Sequence, residues 1–309
     1  AVAQILAPVV LVIGLGWQLA RSGFVSGTTL GELNRLTYWV GLPALLVNRI
    51  GAATPAFDRL GGMLIVLLAT TAVVVAIAAL IGRSARLPGA TLATLIHAAY
   101  RGNLTFVGLP VVIYAFTRGG ETAAVASVAL IAFVPLVIVY NIAAVVLMQL
   151  PGRHLWRGRL HGLGRRLLGN PILIGTVLGM VIALAGAELP VFIDRTLEAV
   201  GQMALPLALI GIGGGLYATR LRGQRRWAVT AALLKTAVTP LIGWGFAVWV
   251  GLGPEEMRLA LIFLACPTAS AAYVLVEEMD GDTALMAGTI VLSYLFSLPS
   301  MALVLSLTG

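Results

Sequence analysis

Long apolar runs dominate the chain and are separated by short polar stretches. A helix needs about 20 mainly apolar residues to cross a bilayer. The apolar runs predict ten such spans, at residues 3–20, 33–50, 62–82, 90–116, 121–149, 170–187, 196–218, 227–250, 256–278 and 283–308. We expect residues 3–20 to form a first span rather than a cleaved signal, because no basic segment precedes the apolar run. The pattern therefore predicts an all-α polytopic membrane protein.

Composition supports the same class. Of the 309 residues, 60% are hydrophobic and 10% are charged, whereas a soluble domain carries about 25% charged residues. The single cysteine, Cys266, excludes a disulfide framework and a cysteine-based metal site. The net charge of +8 comes from arginines in short loops, so it does not indicate nucleic-acid binding. The sequence contains no H-E-x-x-H motif, and we expect neither an enzyme nor a bound metal or cofactor.

Arginines are unevenly distributed among the loops, and this predicts the orientation of the spans. The loops after spans 1, 3, 5 and 7 hold twelve arginines, whereas the loops after spans 2, 4, 6 and 8, with the helix starts next to them, hold four. Because positively charged loops stay in the cytoplasm, the odd-numbered loops are predicted to be cytoplasmic. We therefore expect a protein of the cell (inner) membrane with both termini on the periplasmic or extracellular side.

Prolines recur at a nearly constant offset along the chain. Three pairs in corresponding spans lie 163 or 164 residues apart: Pro8 and Pro171, Pro43 and Pro206, and Pro135 and Pro299. This spacing predicts two five-helix repeats, residues 1–150 and 169–309, joined by a basic cytoplasmic loop at residues 151–168. Since five is odd, the second repeat enters the membrane from the opposite side. Inverted repeats of this kind are typical of secondary transporters.

The segment "AAYRGNLTFVGLPVV", residues 98–112, places helix-breaking residues inside the fourth span. Gly102 weakens helix propagation and Pro110 removes a backbone donor. The proline offset places Asn103 opposite Pro267, which interrupts span 9, and neighbouring hydroxyls can bind the freed backbone groups. We predict that spans 4 and 9 lose helical backbone at these two places and meet at mid-depth. Paired breaks predict a transport site whose half-helix N-termini attract anions; a kink that only aids packing is the alternative.

Charged residues inside the spans are cationic. Arg101 lies in span 4, and Lys235, the only lysine, lies in span 8. Intramembrane charges are costly and indicate function, although Lys235 could instead snorkel toward the cytoplasm. All twelve acidic residues lie in loops or near span ends, so the site is predicted to prefer an anion. His97 is either a polar core residue or a proton relay.

The candidate substrate-binding residues combine the predicted breaks with polar residues of the spans. They are Arg101, Gly102, Asn103, Pro110, Asn141, Lys235, Pro267, Thr268 and Ser270. The glycine-rich run "GIGGG", residues 211–215, lies within span 7 and has no preceding strand. It therefore predicts close helix packing rather than a phosphate loop.

Three stretches of the chain resemble the auxin efflux carrier family, the PIN-like carriers and their bacterial relatives. They are "LNRLTYWVGLPALLVNRI", "RGNLTFVGLPVV" and "CPTASAAYVLVEEMDGDTALMAGTIVLSYLFSLP". The resemblance covers essentially the whole chain, and Asn103 and Pro110 match the family's asparagine and proline. It implies a fold similar to bile acid:sodium symporters and sodium/proton antiporters. In that fold, spans 1, 2, 6 and 7 form a scaffold domain, and spans 3–5 and 8–10 form a transport domain in which the broken spans 4 and 9 cross.

Family members carry organic anions such as auxin or dicarboxylates. Together with the residues above, the resemblance predicts a prokaryotic secondary active transporter of a small organic anion with an elevator-type mechanism. Its expected partners are the anion and the lipid bilayer, without nucleic acid; the oligomeric state stays open, a homodimer included. The first alternative is a Na⁺-coupled organic-anion symporter of the bile acid type, against which the lack of deep carboxylates counts. The second is a membrane sensor that binds a ligand without moving it.

Overall fold

The computed structural model describes residues 2–52, 57–116, 135–136, 138–144, 146–148, 169–218 and 225–308. Within these residues the backbone is helical apart from short connections and one isolated β-bridge. Four helical stretches are long and apolar enough to cross a membrane: Leu60–Ser84, Val191–Ala218, Arg225–Val250 and Thr283–Leu307. The chain is therefore a multi-pass helical membrane protein, as predicted. Most of predicted span 5 and the basic loop at 151–168 lie outside the described residues.

Fourteen helices in the described residues are numbered in chain order. The first six are α1 (Val2–Arg21), α2 (Gly27–Leu36), α3 (Leu42–Gly51), α4 (Phe57–Ser84), α5 (Gly89–Tyr100) and α6 (Leu109–Phe116). The others are α7 (Pro171–Leu184), α8 (Val191–Gln202), α9 (Ala204–Ala218), α10 (Arg225–Leu233), α11 (Thr239–Val250), α12 (Pro254–Ala265), α13 (Ala271–Glu278) and α14 (Thr283–Leu307). The short stretches described between residues 135 and 148 are also helical.

Two predicted span starts are wrong because the helices begin before the apolar runs do. The second span was predicted to begin at residue 33, but α2 begins at Gly27, where Ser26 Oγ accepts a hydrogen bond from Thr29 N at 3.1 Å. The seventh was predicted to begin at residue 196, but α8 begins at Val191, directly after Pro190. Proline and a serine cap both favour helix starts, independently of hydropathy.

Three π-helical turns widen the helices immediately before prolines. They are Thr37–Gly41 between α2 and α3, Leu104–Gly108 before α6, and Leu234–Val238 between α10 and α11. Each turn ends two residues before a proline: Pro43, Pro110 and Pro240. A proline ring clashes with the carbonyl four residues earlier and offers no N–H to it. A widened turn relieves that clash without ending the helix.

Glycines bring α1 and α9 into backbone contact. A Cβ built on Gly16 would lie 2.7 Å from Ile210 Cα, and one built on Gly213 would lie 2.6 Å from Trp17 N. No side chain fits at either position without moving a helix, so the two backbones touch directly. We call this contact the glycine seam. It confirms the close packing predicted from the run at 211–215, and small residues serve the same purpose between other membrane helices.

The helices pack in two groups. In the first, α1 and α2 pack along α9, and α3 packs against α7 and α8. In the second, α4 packs against α5 and α11, α10 packs along α14, and α12 packs against α11 and α14. Helix α13 joins the second group through α5 and α14, and α6 joins it through α12. The second group contains the helix ends at which the candidate site lies. Helix α1 contacts this group at α6 and α14.

Candidate functional site

Two helices of the second group are interrupted, and the interruptions pair with each other. Residues 101–103 separate α5 from the π-helical turn before α6, and residues 266–270 separate α12 from α13. Gly102 and Thr268 form an isolated antiparallel β-bridge. Asn103 N donates to Pro267 O at 2.7 Å, and Ala269 N donates to Arg101 O at 2.9 Å. The predicted loss of helix at both places and their contact are confirmed. We call these paired segments the crossing.

Side chains bind backbone groups that the helix breaks leave free. Thr268 Oγ1 donates to Ala98 O in the last turn of α5 at 3.0 Å, and Thr268 N donates to Ser293 Oγ at 2.9 Å. Asn103 Oδ1 accepts from Phe106 N at 3.1 Å and so caps the following helix. Thr268 and Asn103 are buried. Because unpaired backbone is costly in a membrane, these bonds make the unwound segments tolerable there.

Lys235 is buried at the crossing. Its Nζ donates to Leu264 O in the last turn of α12 at 2.5 Å, and its side chain is 0% exposed. A Cβ built on Gly102 would lie 3.1 Å from Lys235 Cε, so this glycine leaves space for the lysine. Helices α5 and α12 both end here, and helix C-termini carry partial negative charge. The ammonium therefore sits where the two helix dipoles favour a cation, and the snorkelling alternative does not describe it.

Arg101 is partly buried and points toward the helical residues that follow position 138. Its Nη1 donates to Tyr140 O at 3.1 Å, and its Nη2 donates to Asn141 Oδ1 at 2.7 Å. Tyr140 in turn approaches the hydroxyl of Thr71 on α4 at 3.1 Å. Asn141 thus joins the candidate set through Arg101. These partners are neutral, so among the described residues the positive charge is hydrogen-bonded but not paired with a carboxylate.

His97 lies one turn before Arg101 and is fully buried. Its Nδ1 is 3.3 Å from the hydroxyl of Tyr100, which donates to Tyr140 O at 3.3 Å. Its Nε2 has no hydrogen-bond partner within the described residues. The histidine is therefore part of a buried polar group around α5, and the choice between core residue and proton relay stays open.

A cavity of about 1030 Å³ opens beside the crossing, between the two helix groups. From the first group, α2 and α9 contribute Asn34 and Gly211, and the π-helical turn after α2 contributes Tyr38. From the second group, the lining includes Phe106, Ser270, Ala271, Tyr273 and Tyr294. The described lining residues carry no charged side chain. Phe106, Ser270 and Ala271 belong to the starts of the two downstream half-helices, whose N–H groups favour an anion.

The structure brings most of the predicted site residues together, but few of them reach the cavity. Arg101, Gly102, Asn103, Lys235, Pro267 and Thr268 meet at the crossing, and Asn141 binds Arg101. Ser270 lines the cavity, and it does not cap α13. Pro110 is buried in the first turn of α6, where it follows a π-helical turn and belongs neither to the crossing nor to the described cavity lining.

Sequence reasoning missed the contribution of α14. Its adjacent residues Ser293 and Tyr294 contact both sides of the crossing: Ser293 Oγ accepts from Thr268 N, and Tyr294 Oη accepts from Asn103 Nδ2 at 2.7 Å. Successive residues on a helix lie about 100° apart around its axis, so Ser293 can face one segment of the crossing while Tyr294 faces the other. Two adjacent hydroxyl-bearing residues within a mainly apolar span were the available signal.

Comparisons with known proteins give one family model and two relatives that are named as transporters. The model of a family described as membrane transport protein matches residues 1–155 and 156–305. A protein of Rhizobium meliloti named "Putative malonate transporter" is 25% identical over 291 residues, which are 92% of this chain and 89% of that protein. An uncharacterized transporter of Methanocaldococcus jannaschii is 25% identical over 212 residues, which are 68% of this chain and 66% of that protein, just under two thirds of it.

Proposed function

Because the chain belongs to the membrane transport protein family, the family of the auxin efflux carriers, we propose that it is a secondary active carrier of a small organic anion. One observation carries the proposal beyond family membership. The two interrupted helices pair through their backbones beside a cavity lined by the first turns of both downstream half-helices. Broken helices with their N-termini at a cavity are the usual site of anionic groups in such carriers.

We extend the proposal to the arrangement of the spans as two inverted five-helix repeats. Asn103 and Pro267, which the proline offset pairs, are joined by a hydrogen bond of 2.7 Å. The bridge between the two breaks is antiparallel, which is the direction that an inverted repeat requires. These contacts support the repeat independently of the prolines that suggested it.

The packing supports a division into a scaffold and a transport domain. The first helix group corresponds to spans 1, 2, 6 and 7, and its contacts include the glycine seam. The second group holds the crossing, and the cavity lies between the two groups. In this proposal the second group moves as a rigid body against the first in an elevator-type cycle, which would carry a ligand bound between them across the membrane.

We extend the proposal to the side of the membrane that the cavity faces, from the position of its described lining. It reaches Ala218 at the end of α9 and Thr283 at the start of α14. These two positions adjoin the loops after spans 7 and 9. The first of these loops is rich in arginine, and odd-numbered loops are cytoplasmic under the positive-inside rule. We therefore assign the structure to an inward-open state of an inner-membrane protein with external termini.

The anion preference rests on the distribution of partial and full charges around the cavity. The half-helix N-termini face it, while the cations Arg101 and Lys235 stand behind it at the opposite, C-terminal helix ends. No carboxylate belongs to the described lining. We therefore propose that the field in the cavity is positive, and that Arg101 and Lys235 act on the anion from behind the half-helix N-termini rather than by direct contact.

Uptake into proteoliposomes tests the proposal. Purified protein is reconstituted and offered labelled malonate, succinate and indole-3-acetate, with and without Na⁺, and protein-free liposomes serve as control. We expect accumulation of at least one carboxylate above the control. Thermal unfolding with the same compounds is measured in parallel, because a ligand at 100 times its Kd stabilises a protein by about 2.7 kcal/mol. Stabilisation without uptake would favour the sensor, and strict Na⁺ dependence of uptake would favour the symporter. The absence of both uptake and stabilisation would overturn the anion carrier.

A further inference from the structure

Tyr294 stands between the crossing and the cavity. Its side chain is 6% exposed and belongs to the cavity lining. Its hydroxyl oxygen lies 2.7 Å from Asn103 Nδ2 and 3.4 Å from Ser270 Oγ. A single hydroxyl on α14 therefore contacts one residue from each of the two interrupted helices, at the edge of the space where a ligand would bind.

The direction of these hydrogen bonds follows from the chemistry of the groups. An amide nitrogen only donates, so the Tyr294 oxygen accepts from Asn103 and keeps its own proton for another partner. Ser270 Oγ is at 3.4 Å, whereas good O–H···O bonds measure about 2.5–3.0 Å. Ser270 is thus at most a weak acceptor for the phenolic proton of Tyr294. A carboxylate in the cavity would offer it a much stronger acceptor.

Two further features make this proton suited to an anion. The described residues that line the cavity include no lysine or arginine, so the contacts that these residues make to an anion come from neutral donors. The bond that Tyr294 accepts from Asn103 also polarises its hydroxyl, and chained hydrogen bonds strengthen one another. The buried amide behind the tyrosine therefore increases the donor strength of the group in front of it.

We infer that Tyr294 is a substrate-binding residue whose hydroxyl donates a hydrogen bond to the carboxylate of the transported anion. The inference rests on the proposed function and deepens it. It gives Asn103 the role of a positioning residue that acts through Tyr294 in this inward-open state. It also explains how a cavity whose described lining is uncharged could select a carboxylate.

The first test removes the hydroxyl alone. Tyr294→Phe is compared with Tyr217→Phe, a hydroxyl removal on α9 outside the described cavity lining. Uptake of malonate, succinate and indole-3-acetate is measured for both. We expect KM to rise about tenfold or more in Tyr294→Phe, with the maximal rate kept within about twofold, because hydrogen bonds to charged groups are the strong ones. Tyr217→Phe is expected to match the wild type.

A second pair of variants, made in an Asn103→Ser background, distinguishes ligand binding by the Tyr294 hydroxyl from its support of Asn103. In Tyr294→Phe the Asn103 amide loses its acceptor, which could disturb the fold. The Asn103→Ser variant keeps a capping oxygen but has no amide that needs this acceptor. Comparing Asn103→Ser with Asn103→Ser/Tyr294→Phe therefore isolates the hydroxyl. If it binds the ligand, its removal raises KM in both backgrounds; if it only supports Asn103, it has no effect in the second.

The outcomes distinguish the two levels of the proposal. A wild-type protein that neither takes up nor binds any of the three carboxylates overturns the proposed function, and this inference with it. Wild-type uptake with an unchanged KM after hydroxyl removal overturns the inference alone. A fall in maximal rate and unfolding temperature at constant KM assigns Tyr294 a structural role and also overturns it. If Asn103→Ser abolishes uptake, the comparison of Tyr294→Phe with Tyr217→Phe alone decides whether the Tyr294 hydroxyl binds the ligand.

Discussion

In the glycine seam, α1 and α9 touch through backbone van der Waals contact, whereas in the crossing two interrupted backbones exchange hydrogen bonds. The seam depends on what is missing, since Gly16 and Gly213 leave no space for even a methyl group. The crossing depends on what is present, since Asn103 and Thr268 each bind backbone atoms through their side chains. Both bring helices together, but with opposite requirements on their side chains.

This difference predicts different consequences of mutation. A contact between close-packed backbones has one good arrangement, and an added atom must displace a whole helix. A hydrogen-bonded crossing is made of separate bonds, each contributing about 1 kcal/mol, so single bonds can be removed while the others persist. Seam variants should therefore lower stability without a specific effect on ligand, whereas crossing variants should separate stability from transport.

The largest stability effect is expected at the seam. Gly16→Ala places a Cβ against the backbone of Ile210 and is expected to destabilise the protein by about 1–3 kcal/mol, the usual cost of overpacking. Gly14→Ala, in the same helix but with no atom within 4 Å of the added Cβ, is the matched control and should be neutral or slightly stabilising. Thermal unfolding in detergent measures both. Equal unfolding temperatures would show that the seam is not close-packed.

Asn103 comes next, because it makes two bonds at once. Asn103→Ala loses the cap on Phe106 N, worth about 1 kcal/mol, and the bond to Tyr294, worth about another. Asn103→Ser keeps an oxygen that can cap but cannot reach as far as the amide. We expect the serine variant to recover about half of the lost stability while uptake stays reduced about tenfold. If the serine variant recovers stability and uptake to the same extent, Asn103 acts only as a helix cap.

A smaller effect is expected from Thr268, which donates one side-chain hydrogen bond across the crossing. Thr268→Val keeps the shape of the side chain but removes the bond to Ala98 O, at a cost of about 1–2 kcal/mol because the carbonyl is left buried. Thr268→Ser keeps the hydroxyl and loses a methyl group. Unfolding temperatures should rank wild type, serine variant and valine variant in descending order. A valine variant as stable as the serine variant would contradict the role of this bond.

The positions of the breaks could be predicted from sequence because their causes are local. Gly102 and Pro267 act on their own backbone, and a repeated proline pattern places the two breaks opposite each other. The hydrogen bond between Asn103 and Pro267 is the physical counterpart of that offset. The glycine seam was predictable for the same reason, since a glycine-rich run within an apolar span has few other uses.

The partners of the crossing could not be predicted, because they come from distant helices. Lys235 reaches Leu264 O from the π-helical turn after α10, and Tyr294 reaches Asn103 from α14. Hydropathy locates these residues in spans but says nothing about which face of a helix meets which neighbour. Tertiary packing decides that, and so the sequence of span 8 is compatible with both a snorkelling and a buried Lys235.

Ser270 should give the smallest effect and the sharpest contrast with Asn103. Both residues start the half-helix downstream of a break, but Asn103 is buried and caps its helix, whereas Ser270 is exposed to the cavity and does not. Ser270→Ala removes no capping bond, so we expect an unfolding temperature equal to that of a surface control, Ser306→Ala. A weak donor to the ligand would still be lost, and KM for a transported carboxylate should rise about two- to fivefold, the effect of a hydrogen bond of about 0.5–1 kcal/mol. A drop in stability as large as that of Asn103→Ala would show that the two breaks are supported in the same way. An unchanged KM would restrict direct ligand contacts to other lining groups such as Tyr294.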